Sequence, residues 1–326
     1  MNRRNFFALA MGSSSLIANP ASLVNDYPSR PVKIIAPFEA GGTTDIMARM
    51  LAEDLGRQYN EIVMVENRIG ANGIIGTEVV ARAKPDGLTL LFVSSSFAIN
   101  PTVYRKLKYD AQRDFVPIAD FARGKGFLIL TPAALPVKTL QDLIDKSKDL
   151  KNNWNYSTAG FGNSTHLAAE MFTMKTGSRF TAVPYKGSGA AVNAVLSGEV
   201  QLSLQTPYTA LSQVQAGRLK ALAFTGPKRL IDLPDVPTLL ESGYPSLVMD
   251  GSWLALFAPA GTPIEIISKL HRGVNIAMQR TKVAEAVRKG GYDLGSGNSS
   301  EEFSRFVGME IQRYAEIAKS AKIELE

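Results

Sequence analysis

The chain has 326 residues, 45% hydrophobic and 20% charged, the balance of a globular protein with a full core, and this length makes two domains the expectation. Its net charge of +6 falls to +4 without residues 1–25, which hold Arg3 and Arg4 and no acid, leaving 34 basic against 30 acidic residues. That excess forms no Lys/Arg stripe and no aromatic platform, which argues against nucleic acid, and the absence of cysteine excludes disulfides and thiol chemistry.

The start, Met1-Asn2-Arg3-Arg4-Asn5-Phe6-Phe7, is charged. An apolar stretch runs from there to about Ala18, and small residues follow. This is the pattern of an export signal over residues 1–25, of Sec or twin-arginine type, since Arg3-Arg4-Asn5-Phe6 resembles the latter. The stretch is shorter than the ~20 residues that span a bilayer.

Residues 32–37 then read as a strand and 44–58 as a helix with Ile46, Met50, Leu51 and Leu55 on its buried face. A strand at 62–65, a helix at 74–83 and a strand at 88–94 continue the alternation, which predicts mainly parallel sheets covered on both faces. The pattern restarts at 127–131. Thr139 and Asp142 then form a capping pair at a helix start. Strands are expected at 155–158, 181–185, 200–204 and 219–225, with helices at 166–176, 190–197 and 209–216 between them. A strand at 253–259 leads to Thr262-Pro263-Ile264-Glu265, a strong helix start with Ile267, Leu270 and Val274 facing inward. Ser299-Ser300-Glu301-Glu302 opens a last helix to about Ala318. No flexible linker separates the two α/β units. Arg123-Gly124-Lys125-Gly126 and Met249-Asp250-Gly251-Ser252 are the expected crossings, with glycine to absorb a bend.

Three Gly/Ser/Thr-rich loops stand where a strand ends and a helix begins. They are Pro37-Phe38-Glu39-Ala40-Gly41-Gly42-Thr43-Thr44-Asp45, Thr158-Ala159-Gly160-Phe161-Gly162-Asn163-Ser164-Thr165-His166 and Tyr185-Lys186-Gly187-Ser188-Gly189-Ala190-Ala191. Backbone N–H groups at the positive end of a helix dipole hold a small anion without a metal or a buried cation. Any α/β protein needs such turns, so the first loop alone decides nothing. In the second loop Asn163, Ser164 and Thr165 are three hydrogen-bonding residues in succession, more than one cap requires. His166 reads either as a general base or as a first-turn residue held by backbone. Tyr185 either faces a ligand or packs at a strand end, and Lys186 reads as solvated. Gly187 and Gly189 offer close approach to an oxyanion.

Catalytic motifs are missing. Gly162-Asn163-Ser164-Thr165-His166 lacks the second glycine of a nucleophile elbow. Neither Gly160-x-Gly162 nor Gly187-x-Gly189 continues to a dinucleotide fingerprint, and two distant histidines build no common zinc site. No cofactor and no metal are therefore expected. A hydrolase or lyase using Ser164 with His166 is the alternative, and residues two apart on a helix make that pairing poor.

Several strings in order carry a family likeness. They include Tyr27-Pro28-Ser29-Arg30-Pro31-Val32, Gly41-Gly42-Thr43-Thr44-Asp45 and Val65-Glu66-Asn67-Arg68. Lys84-Pro85-Asp86-Gly87, Leu233-Pro234-Asp235-Val236-Pro237-Thr238 and Ala258-Pro259-Ala260-Gly261-Thr262-Pro263 complete them. From about Tyr27 onward the chain resembles the Bug-type periplasmic receptors, solute-binding proteins of tripartite tricarboxylate transporters. The resemblance implies a two-lobe periplasmic-binding-protein fold of type II, mainly parallel sheets flanked by helices, with one ligand in the cleft. Lobe 1 would comprise residues 26–125 and 252–326, and lobe 2 residues 126–251.

The implied ligands are mostly carboxylates, with acidic amino acids, aromatic acids and neutral nicotinoids among them. The implied ligand residues are Phe38, Gly42, Thr43, Thr44, Asp45 and Ser94 in lobe 1. In lobe 2 they are Gly162, Asn163, Ser164, Thr165, Gly187, Ser188, Gly189 and Ala190, and His166, Tyr185 and Gln205 are candidates beside them. The implied partners are a small organic acid and the membrane subunits of a transporter or a sensor kinase, for a receptor that is itself a monomer. Glu39 and Asn72 depart from the small residues usual at those places, and Asn193 and Gln201 from the usual aspartate. Glu39 either repels a second carboxylate or recognises an amine or hydroxyl.

Overall fold

A computed structural model describes residues 27–320 and residue 323, so the expected export signal lies outside the described residues. In chain order the first elements are β1 (Val32–Ala36), α1 (Thr43–Tyr59), β2 (Val63–Asn67), α2 (Ile74–Ala81), β3 (Thr89–Ser94), α3 (Ser96–Val103) and β4 (Phe115–Gly124). Next come β5 (Leu128–Pro132), α4 (Leu140–Lys148), β6 (Asn155–Thr158), α5 (Ser164–Thr176), β7 (Thr181–Pro184) and α6 (Ser188–Ser197). Then follow β8 (Leu202–Gln205), α7 (Pro207–Gln215), β9 (Leu219–Phe224), β10 (Trp253–Pro259), α8 (Ile264–Gln279), α9 (Thr281–Lys289), β11 (Tyr292–Leu294) and α10 (Ser300–Ser320).

Two sheets result, one ordered β11-β4-β10-β3-β1-β2 and the other β7-β6-β8-β5-β9. Both repeat one plan. Three parallel strands (β2-β1-β3 and β7-β6-β8) are followed by one reversed strand and then by a strand in the original direction. In the first sheet the reversed strand β10 returns from beyond the whole second sheet, whereas in the second the reversed strand is β5, the first of its strands in the chain. The sheets are therefore mixed and parallel in their dominant direction, with one reversed strand in the second sheet (β5) and two in the first (β10 and the edge strand β11). At the crossings the Gly124 N–H donates to the Ser252 carbonyl (3.0 Å) and the Gly251 N–H to the Gly124 carbonyl (2.9 Å). A Cβ on Gly124 would lie 2.8 Å from the Ser252 carbonyl oxygen, so the two crossings pass in direct backbone contact.

Each sheet is buried on both faces, as alternate strand residues show. Ile34, Leu90, Phe92 and Leu256 meet α1 and α8 on one face of the first sheet. Ile35, Leu91, Val93 and Phe257 meet α3 and α10 on the other. In the second sheet Ile129, Leu202 and Leu204 share one core with Phe172, and Leu128, Leu130 and Phe224 share the opposite one with Val195. The expected capping pair is present, with the Asp142 N–H on Thr139 Oγ1 (3.0 Å) and the Thr139 N–H on the Asp142 carboxylate (3.1 Å).

Several sequence readings change, since α3, α9 and β11 were not assigned from the sequence. Helix α1 buries Met47, Ala48, Leu51 and Leu55, while Ile46 and Met50 are only half-buried. Its apolar stripe is turned by about one position, because Ala48 rather than Met50 allows close approach to the sheet. Strand β4, unassigned in the sequence, is ten residues long and almost wholly buried. Burial on both faces removes the polar–apolar alternation by which a strand is recognised.

Candidate functional site

The three loops end in helices as their residues require. Gly42 precedes α1, Asn163 precedes α5 and Gly187 precedes α6, each in extended backbone. All three starts line one cavity of about 40 Å³ between the sheets, with Phe38, Glu39, Thr43, Thr44 and Ser94 on one side and Ala159, Ser164, Thr165 and Ser188 on the other. The first turn of a helix has no internal acceptors for its N–H groups. Among the described residues nothing accepts from the N–H of Thr43, Ser164 or Ser188. Among the described residues no arginine, lysine or histidine lines the cavity, and Glu39 is its one carboxylate. Thr206, Ser252, Leu254 and Tyr292 complete the wall and were not foreseen, since they come from connections and sheet edges that only the tertiary fold brings together.

The two sides touch. Thr43 Oγ1 lies 3.2 Å from Thr206 Oγ1. Asn163 Nδ2 donates to Ser96 Oγ (3.0 Å) and to Asn72 Oδ1 (3.3 Å). Binding sites for small molecules run from about 300 Å³ upward. The cavity of about 40 Å³ is far smaller than that, because the two sides are in direct contact across it.

Several expected ligand residues stand elsewhere. The Asp45 carboxylate is buried and points back into its own lobe, accepting from Gly41 N–H (2.9 Å), Asn67 Nδ2 (2.8 Å) and Arg49 Nε (3.0 Å). Burial alone would raise its pKa; the Arg49, Gly41 and Asn67 bonds outweigh that and hold it below the ordinary carboxylate value. Asp45 thus positions the first loop. The Gly162 N–H is already taken by His166 Nδ1 (3.2 Å), so neither residue offers that group to a ligand. Burial pushes the His166 imidazole down to about 4, which keeps it neutral. Its other nitrogen sits 3.9 Å from Glu170, and Ser164 Oγ donates instead to Asn163 Oδ1 (3.3 Å). The Ser164/His166 nucleophile–base pair therefore does not form.

Thr165 Oγ1 lines the wall but is already engaged by Thr158 Oγ1 (3.0 Å) and the Ala159 N–H (3.2 Å). The Asn163 side chain caps α5 by accepting from the Thr165 N–H (3.1 Å). Tyr185 turns its hydroxyl away to Glu199 (2.6 Å), and Lys186 is exposed. Gly189 and Ala190 are half-buried on α6, outside the lining. Gln205 is fully buried behind Thr206, with its Nε2 on Ser203 Oγ (2.9 Å) and no partner for Oε1 among the described residues. Neither Gly187 nor Gly189 adopts the left-handed conformation that would demand glycine.

A larger groove of about 700 Å³ runs beside the crossings. Of the cations lining it, Arg123 pairs with Asp120 (2.8 Å), Lys125 with Asp293 (3.0 Å), Arg229 with Glu241 (2.9 Å) and Arg313 with Glu310 (2.7 Å), and Lys228 also lines it. It presents no convergent set of free donors comparable to the three helix starts.

This geometry has known counterparts. The model of the tripartite tricarboxylate transporter family receptor matches residues 47–323. The chain belongs to this family. Protein BugT of Bordetella pertussis is 35% identical over 312 residues, covering 95% of this chain and 94% of that one. The solved periplasmic binding protein BugD superposes with a TM-score of 0.86 at 33% identity, over 92% of this chain and 100% of that one. The R. palustris protein Rpa4515, solved with adipate, superposes with a TM-score of 0.88 at 33% identity over the same shares. The family receptors are solute-binding proteins, not enzymes, and the BugD protein is a periplasmic one.

Proposed function

We propose that this receptor captures a small organic acid by its carboxylate in the inter-lobe cleft and delivers it to a membrane transporter or a sensor. The observation that carries this reading is the meeting of three helix N-termini on one cavity without a cationic side chain. Each terminus carries roughly half a positive charge, and its free N–H groups are the donors a carboxylate needs. Thr43, Thr44, Ser164, Gly187 and Ser188 are the contacts this reading assigns. The adipate held by Rpa4515 supports a carboxylate as the ligand class.

The lobes of this reading are residues 26–125 with 252–326, and residues 126–251, bending at Gly124 and Gly251. Residues 1–25 act as the export signal, and the mature receptor works as a monomer. Calorimetric titration with a panel of organic acids tests the function. Stoichiometric heat without turnover, with a smaller radius of gyration on saturation, is the expected result. Turnover of any acid, or saturation without compaction, contradicts it.

A further inference from the structure

Among the described residues Glu39 is the only carboxylate in the wall of the cleft, and no lysine, arginine or histidine stands there to neutralise it. It is half-buried, and among the described residues no hydrogen bond or ion pair engages its side chain. It lies on the cleft-facing side of the first loop, where a Cβ placed on Gly187 of the opposite lobe would sit 3.6 Å from Glu39 Cβ and 3.9 Å from its Cγ. The start of α6 and the stem of Glu39 therefore stand next to each other across the cleft. Asp45, the neighbouring acid, does not share the cavity, because Arg49, Asn67 and the Gly41 N–H hold it inside its own lobe.

A half-buried carboxylate without a donor is costly and favours any ligand that supplies one. The cleft thus has two unlike ends. The starts of α5 and α6 offer N–H groups to an anion, while the first-loop wall offers an acceptor with a full negative charge. Near a second ligand carboxylate there, the half-charge at the start of α1 and the Thr43 and Thr44 hydroxyls are opposed by the Glu39 carboxylate. We infer that Glu39 determines ligand specificity, excluding a second carboxylate and pairing with the ammonium group of an amino-bearing monocarboxylate. This rests on the carboxylate reading above, with the ligand's one carboxylate on lobe 2 and its ammonium on lobe 1.

Three matched probe pairs differ only in the group at one end: succinate and 3-aminopropanoate, glutarate and 4-aminobutanoate, adipate and 5-aminopentanoate. Calorimetric titration of each into the full receptor and into Glu39→Gln measures the preference. For the best-bound pair, the unaltered receptor should favour the amino member at least tenfold. Glu39→Gln keeps the side-chain shape and should move that ratio at least tenfold toward the dicarboxylate. A ratio unchanged by Glu39→Gln, whichever member is preferred, overturns the assignment. A preference of the unaltered receptor for the dicarboxylate overturns it as well. If none of the six binds either protein, the carboxylate reading itself fails and the specificity role falls with it.

Discussion

The two lobes share a strand order but furnish the cleft in different ways. In the first, one helix start faces the ligand space, and its loop is tied from behind by Asp45 to Arg49 and Asn67. That tie leaves Thr44 and Glu39 facing the cleft without side-chain partners of their own. In the second, two helix starts face the ligand space. The α5 loop is knitted internally by Asn163, Thr165, Thr158 and His166, whereas the α6 start has no side-chain cap at all. The same strand–turn–helix device thus yields a rigid frame in one place and unengaged donors in another. What decides is how many polar groups the loop satisfies for itself.

The contrast within lobe 2 is broken most strongly at its glycines. Gly162 has φ +66°, and a Cβ there would fall 2.5 Å from Val103 Cγ2. Gly162→Ala should destabilise the protein by about 3 kcal/mol, combining a left-handed penalty with overpacking. On α6 a Cβ at Gly189 meets open space, so Gly189→Ala should change stability by no more than about 0.5 kcal/mol. Denaturant unfolding of the two variants compares them directly.

His166 sharpens the difference through pH. Its folded pKa of about 4 lies below the ordinary 6.5, so the unfolded chain takes up the proton first as pH falls. The stability this group contributes is complete above pH 6.5 and is lost progressively down to about pH 4, by roughly 3 kcal/mol at most. His166→Gln should lose less stability between pH 7 and pH 4 than the unaltered protein does, read from urea midpoints across that range. Equal losses in the two proteins would contradict the neutral, buried imidazole.

The smallest effect concerns the contact between lobes. Thr206→Val removes the hydroxyl that meets Thr43 while keeping the side-chain shape. One hydrogen bond is worth about 1 kcal/mol, which corresponds to roughly fivefold in the closed population. Ligand affinity should fall by about that factor with no change in unfolding midpoint.

Much of this was legible in the chain. The starts of α1, α5 and α6 are written in their Gly/Ser/Thr loops after apolar strands, and the crossings in Gly124 and Gly251. The assignment of particular groups was not. A run such as Asn163-Ser164-Thr165-His166 shows how many hydrogen-bonding groups are available, but not which are satisfied inside the loop. Thr165 and His166 prove to be frame, and Ser164 lines the cleft. Thr206, Ser252 and Tyr292 carried no local signal, because their place on the wall depends on where β8, β10 and β11 end. Strand β4 was hidden by burial on both faces, with Asp120 and Arg123 paired to each other within it.

The central claim is that backbone N–H groups at helix starts, rather than a side-chain cation, hold the carboxylate. Ser188 is the first residue of α6, where proline fits the helix and its missing N–H breaks no intrahelical bond. Ser188→Ala removes the hydroxyl alone, and Ser188→Pro removes the hydroxyl and the N–H. Calorimetric titration with the best-bound carboxylate should find Ser188→Pro weaker than Ser188→Ala by a further factor of ten or more, since a charge-assisted hydrogen bond is worth about 1.5–3 kcal/mol. Equal affinities of the two variants, with both folded, would contradict the claim.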